Sequence, residues 1–143
     1  MLKQAEEIHY ESIMKVWEAS VRATHHFLKE EDILFYKQLI PGFLPQVNLL
    51  VLQEEDGIQG FIGISEDMID MLFIAPESRG KGLGKKMVEW ADARYSIHKV
   101  DVNEQNEQAV GFYKKLGFVQ VGRSEKDGFD KEYPILHLER KHL

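Results

Sequence analysis

The chain has 143 residues, 43% of them hydrophobic and 29% charged, with a formal net charge of −6 and no cysteine. That suits one domain over residues 1–143 with a real core, and it excludes disulfides, thiolate metal sites and a covalent thiol nucleophile. The acidic balance argues against a nucleic-acid backbone as partner, and no run of about 18 apolar residues offers a membrane span.

The N-terminal MLKQAEEIHYES lacks the basic-then-apolar order of a signal peptide, so a cytoplasmic protein is expected. After a short strand near Leu2–Gln4, apolar residues at Ile8, Ile13, Val16, Trp17 and Val21 outline an amphipathic helix. The segment Arg22–Leu28, RATHHFL, interrupts it, and a second helix is expected from about Glu30 to Leu39, closed by Pro41, Gly42 and Pro45. His25 and His26 sit in the connection. Each reads either as a capping, packing or solvent-facing side chain or as a substrate-site group titrating near neutral pH. No ligand spacing such as HxxxH accompanies the six histidines, so no metal site is expected.

NLLVLQEE and IQGFIGIS, joined at Glu55-Asp56-Gly57, predict a hairpin. A third strand, MIDMLFIA, must stop before Pro76, which cannot continue a central ladder. Then comes RGKGLG, Arg79–Gly84, opening a helix in which Leu83, Met87, Trp90 and Ala91 share a side. Glycines permit positive φ and inward-turned N–H groups, and a helix N-terminus favours an anion. Arg79, Lys81, Lys85 and Lys86 concentrate positive charge here against the overall composition. The spacing fits neither a P-loop, since Arg79 holds the place of its first glycine, nor GxGxxG. A pyrophosphate cradle is what survives.

SIHKVDVN predicts a strand ending near Asn103, hence a strand–helix–strand crossover and a parallel pair. NEQAVGFYKKLGF predicts a helix stopped at Gly117, and FVQVGRSE and YPILHLER close the chain as strands around a polar turn. The fold class is α/β with a mixed sheet.

The order strand–Pro–x–x–R–G–x–G–x–G, helix, strand, N–x–x–A–x–x–F–Y–x–x–x–G–F resembles the GNAT superfamily of acetyl-CoA-dependent N-acetyltransferases along the whole chain. Arg79, Gly82 and Gly84 match its first signature; Asn106, Ala109, Phe112, Tyr113, Gly117 and Phe118 match the second. VWEASVRATHHFL and VNEQNEQAVGFYKKLGF resemble its bacterial YjaB-type branch. The resemblance implies helices on both faces of the sheet and a splayed parallel strand pair forming a slot for the pantetheine arm. Backbone groups of Leu72, Phe73 and Ile74 would pair with pantetheine amides. The amides of Arg79, Gly80, Lys81, Gly82, Leu83 and Gly84, with Lys85 beside them, would hold the pyrophosphate. Asn106 and Asn103 would reach the cofactor.

The implied reaction is direct transfer of acetyl from acetyl-CoA to a primary amine of a small molecule, peptide or protein. An alkylamine with a pKa near ~10.4 arrives protonated, so a base or water chain must take a proton, and the thiolate that leaves needs an acid. Tyr113 is the family-matched acid. Many relatives carry a base at the position of Met68, which cannot take a proton. Asp70 is the candidate on an alternating strand, with His25, His26, Glu66 or water as alternatives. A binding module for acyl-CoA without transfer is the competing expectation. The expected assembly is a monomer or homodimer, without metal.

Overall fold

The structure is a computed structural model describing residues 2–141. Seven strands form one mixed sheet in the order β1-β2-β3-β4-β5-β7-β6. They are β1 (Leu2–Gln4), β2 (Asn48–Glu54), β3 (Gly57–Ser65), β4 (Met68–Ile74), β5 (Lys99–Asn103), β6 (Val119–Ser124) and β7 (Ile135–Glu139). Helices α1 (Tyr10–Thr24) and α2 (Glu30–Phe43) cover one face over a core of Ile13, Trp17, Val21, Ile33, Val51 and Phe61. Helices α3 (Leu83–Tyr95) and α4 (Glu107–Lys115) cover the other over Ile62, Ile69, Met87, Ala91, Val100 and Phe118. This is the expected mixed-sheet architecture with helices on both sides. No described helix is long and apolar enough to cross a membrane.

The β2–β3 hairpin turns at Gly57, whose φ of +111° only glycine adopts without strain. The next connection, from β3 into β4, contains the feature that shapes the molecule. Gly63 pairs with Met71 but Ile64 pairs with Ile69, so one residue of β3 faces two of β4 and the extra residue is Asp70. Accordingly Ile69, Leu72 and Ile74 pack toward α3 and α4, while Met71 and Phe73 pack toward α1 and α2. The alternation expected to place Asp70 on Met68's face is broken at Asp70 itself.

The parallel β4–β5 ladder consists of Met68↔Lys99 and Ile69↔Val100. Beyond it β4 stays with β3 as far as Ile74, and β5 stays with β7 as far as Asn103. The two strands diverge from the bulge onward, as the resemblance implied.

Three local expectations need correction. Ile8 is 83% exposed because Glu7–His9 form a 3-10 turn in which His9 turns inward and its Nδ1 accepts from Glu6 N at 2.9 Å. Pro41 lies inside α2 rather than ending it. In the last turn its missing N–H costs one helical bond, while Leu44 N still reaches Ile40 O and Gln46 Nε2 reaches Gly42 O. Trp90 is 45% exposed, and Val88 joins Met87 and Ala91 on the buried side of α3.

Candidate active site

The diverging strands, the segment Ser78–Lys85 and α4 enclose a cavity of about 540 Å³. At one end, Gly80 (φ +78°) and Gly82 (φ +74°) adopt left-handed conformations, and a Cβ on either would meet nothing within 4 Å. Both glycines are therefore required by backbone conformation, not by crowding. Gly82 caps α3, and Lys86 N makes the first helical bond to its carbonyl at 3.2 Å. The amides of Leu83, Gly84 and Lys85 thus precede any intrahelical acceptor, with the helix dipole behind them. Gly84 answers a different demand, because a Cβ there would lie 3.2 Å from the Phe112 ring of α4. The loop is anchored through Ser78 Oγ, which donates to Gln59 Oε1, and Arg79, whose Nη2 donates to Gln108 Oε1 at 3.1 Å.

The walls are apolar where Leu72, Ile74 and Leu83 line the cavity. Between the diverging strands, one backbone edge of β4 from Leu72 to Ile74 has no strand beside it among the described residues. The arrangement suits a long, amide-bearing chain ending in phosphates. The sequence-predicted site residues line this cavity except Lys81, which is exposed, and the alternative bases His26 and Glu66.

Tyr113 is 6% exposed, on the inner face of α4. Its ring packs edge-on against Phe118 at 5.7 Å, and Phe118 N bonds Tyr113 O at 3.1 Å while Gly117 N bonds Lys114 O at 3.0 Å. Gly117, at φ +95°, completes this Schellman stop, so the sequence KKLGF both ends the helix and fixes Tyr113. Burial alone raises the Tyr113 hydroxyl above the ordinary tyrosine range. It stays protonated at neutral pH.

Asn106 is the N-cap of α4; its Oδ1 accepts from Ala109 N at 3.3 Å. Its Nδ2 lies 3.4 Å from His25 Nε2. Thr24 Oγ1 gives its one hydrogen to Ser20 O at 2.8 Å, so it accepts from His25 Nδ1 at 2.7 Å. His25 is therefore neutral, with Nδ1–H donating and Nε2 accepting. Burial, then the charges of Arg79 and His26, lower its pKa to about 4. Its imidazole joins the end of α1 to the start of α4, with the Phe27 and Phe73 rings at 5.3 and 6.2 Å.

Asp70 faces the cavity at the fork, where Ser65 Oγ donates to its Oδ2. Burial raises its pKa, Ser65 opposes this, and the Asp101 carboxylate raises it further. Sequence reasoning missed Ser20, Thr24, Asp101 and Gln108 as lining groups. Asp101 alone had a readable signal, two residues before the expected end of its strand.

The description "Acetyltransferase (GNAT) domain" matches residues 6–130. Peptidyl-lysine N-acetyltransferase YjaB of Escherichia coli (strain K12) is 46% identical over 129 residues, covering 90% of this chain and 88% of that protein. The solution structure of apo-form YjaB superposes with a TM-score of 0.91 at 41% identity, covering 100% of this chain and 98% of that one. The PaiA N-acetyltransferase of Thermoplasma acidophilum, crystallised with coenzyme A, shares the fold at 20% identity and a TM-score of 0.73, with 96% of each chain covered. The chain belongs to the GNAT acetyltransferases, enzymes that move an acetyl group from acetyl-CoA to a primary amine.

Proposed function

We propose that this enzyme acetylates the side-chain amine of peptidyl lysine, with Asp70 as base and Tyr113 as acid. The observation that carries the reading is the fork itself. It presents an uncovered strand edge and a glycine cradle on one side, and a carboxylate and a buried phenol within one cavity. The lysine acceptor is supported by YjaB, whose name states that specificity.

In this reading the loop amides and Lys85 hold the pyrophosphate, and the backbone of Leu72 to Ile74 aligns pantetheine. A strand amide near Phe73 faces the developing oxyanion. Asp70, whose proton affinity burial raises, takes a proton from the ammonium. Tyr113 is too weak an acid to lose its proton at rest, yet it can give that proton to the strongly basic sulfur as the C–S bond breaks. His25 is not the base, because its free lone pair is directed at Asn106. Asn106 contributes by fixing the start of α4 and thereby Tyr113. Residues 1–143 act as one domain, in the cytoplasm, as a monomer or homodimer.

The test is thiol release from acetyl-CoA with lysine-containing peptides. Release that depends on the lysine amine is expected, and Tyr113→Phe should lower kcat about 10²-fold while acetyl-CoA affinity stays unchanged. Release with small polyamines but not with peptides would overturn the acceptor assignment.

A further inference from the structure

On the acceptor side of the fork, β5 and its neighbours supply an array that the reading above leaves unused. Asp101 follows Val100, the last residue of β5 in the β4 ladder, and it pairs across β7 with His137. Val100, Val102, Leu136 and Leu138 point into the core under α3 and α4, so Asp101 and His137 alternate to the opposite face. An ionised carboxylate only accepts, so the 2.7 Å contact between His137 Nδ1 and Asp101 Oδ1 places the hydrogen on Nδ1. The ring's other nitrogen, Nε2, is hydrogen-bonded to Ser124 Oγ, 2.7 Å away. Ser124, His137 and Asp101 form a line of hydrogen bonds running across β6, β7 and β5 into the cavity.

Asp101 lines the cavity together with Asp70, the bulged residue of β4, and its charge acts on Asp70. The two carboxylates have different partners. Asp101 holds an N–H donor that favours its charge, whereas Asp70 has the Ser65 hydroxyl. Asp101 Oδ2 and Asp70 Oδ1 accept from no other described residue. Strand β3 carries no titratable side chain, and from α1 and its end the cavity receives the hydroxyls of Ser20 and Thr24 and the neutral His25. On β5 the other charged group near the ladder is Lys99, paired with Met68. Arg79, Lys85, Lys115 and Tyr113 line the cavity from the loop and α4.

We propose that Asp101, anchored by His137 and Ser124, seats the acceptor ammonium at the fork and directs its proton onto Asp70. The inference rests on the reading of Asp70 as base. Of two carboxylates in one cavity, the one whose partner is only a hydroxyl is the better proton acceptor. The Asp101 carboxylate draws in a cation, and its charge raises the proton affinity of Asp70. The ammonium gives one proton to Asp70, and its freed lone pair forms the C–N bond as the C–S bond breaks. Nitrogen loses two protons overall. One passes through Asp70 to solvent, and the other, lost after the C–N bond forms, returns through solvent to the Tyr113 phenolate left when the phenol protonates sulfur. His137 and Ser124 are positioning residues, acting through Asp101.

The experiment uses the full chain and n-butylammonium as probe. Asp70 is followed by carboxyl ¹³C NMR against pH, probe binding by amide shifts, and acetyl-CoA binding by calorimetry. Asp101→Asn should lower the Asp70 midpoint, weaken the probe about tenfold and leave acetyl-CoA binding intact. His137→Asn, whose amide nitrogen can replace Nδ1, should retain probe binding, and His137→Leu should lose it in part. An unchanged Asp70 midpoint with unchanged probe affinity in Asp101→Asn would overturn the inference. Loss of acetyl-CoA binding by the unmutated protein would instead sink the underlying reading.

Discussion

His25 carries a stability cost that appears only in acid. Its pKa is about 4 in the folded chain against 6.5 for the free group, because burial and the nearby Arg79 and His26 charges disfavour the imidazolium. Between those values the unfolded chain binds a proton that the folded chain refuses, so stability rises with pH through this window. Above about pH 7 the group is neutral in both states and costs nothing. Lowering the pH from 7 to 4.5 should therefore cost at most about 3 kcal/mol through this residue. Urea unfolding of the native chain and His25→Gln at both pH values isolates the effect. The variant should be weaker at pH 7, where it loses the bridge between Thr24 and Asn106, but it should lose less on acidification. Equal pH slopes for the two proteins would refute the assignment of the window to His25.

At the scale of elements, a strand glycine and a loop glycine should respond differently to alanine. Gly60 of β3 would place a Cβ 2.8 Å from Phe73 O and 2.9 Å from Ile74 Cδ1. The first neighbour is backbone and cannot give way without opening the β3–β4 ladder that carries the slot edge. Gly60→Ala should cost about 2–3 kcal/mol, read as a lowered Tm. Gly82→Ala has open space around it but a φ of +74°, so it should cost only about 1 kcal/mol of stability while weakening acetyl-CoA at the cradle. The same distinction marks what was legible in the sequence. The left-handed glycine loop before α3, the Asp-Gly turn, the KKLGF stop and the strand before Pro76 are written in local chemistry, and all appear in the structure. Pro41 inside α2, the bulge at Asp70 and the outward Ile8 are set instead by the geometry of nearby contacts that hydrophobic spacing does not encode: the Leu44 and Gln46 bonds, the β3–β4 register and the His9–Glu6 bond. In the site, Tyr113 could be placed by its motif, whereas the His25–Asn106 contact spans 81 positions and the His137–Asp101 contact 36.

At the scale of the whole molecule, the sheet separates two cores, and the ladder that ties β4 to β5 is two pairs long. A ligand lying in the fork touches β4, the Arg79–Lys85 segment and α4 together, so it closes what the sheet leaves open. Acetyl-CoA should therefore stabilise the folded state by simple linkage, about 2.7 kcal/mol at one hundred times Kd, or roughly 8 °C in Tm for a chain of this size. The cradle predicts how that stabilisation divides. S-acetylpantetheine keeps the thioester and the amides that face β4 but lacks the pyrophosphate and nucleotide, so at the same concentration it should shift Tm little. Raising the ionic strength should reduce the acetyl-CoA shift, because Arg79 and Lys85 are exposed enough to be screened. Thermal melts across a salt series with both ligands check this. Equal shifts from the two ligands at low salt would move the binding energy from the glycine loop to the slot walls, and the loop's cations would lose their role.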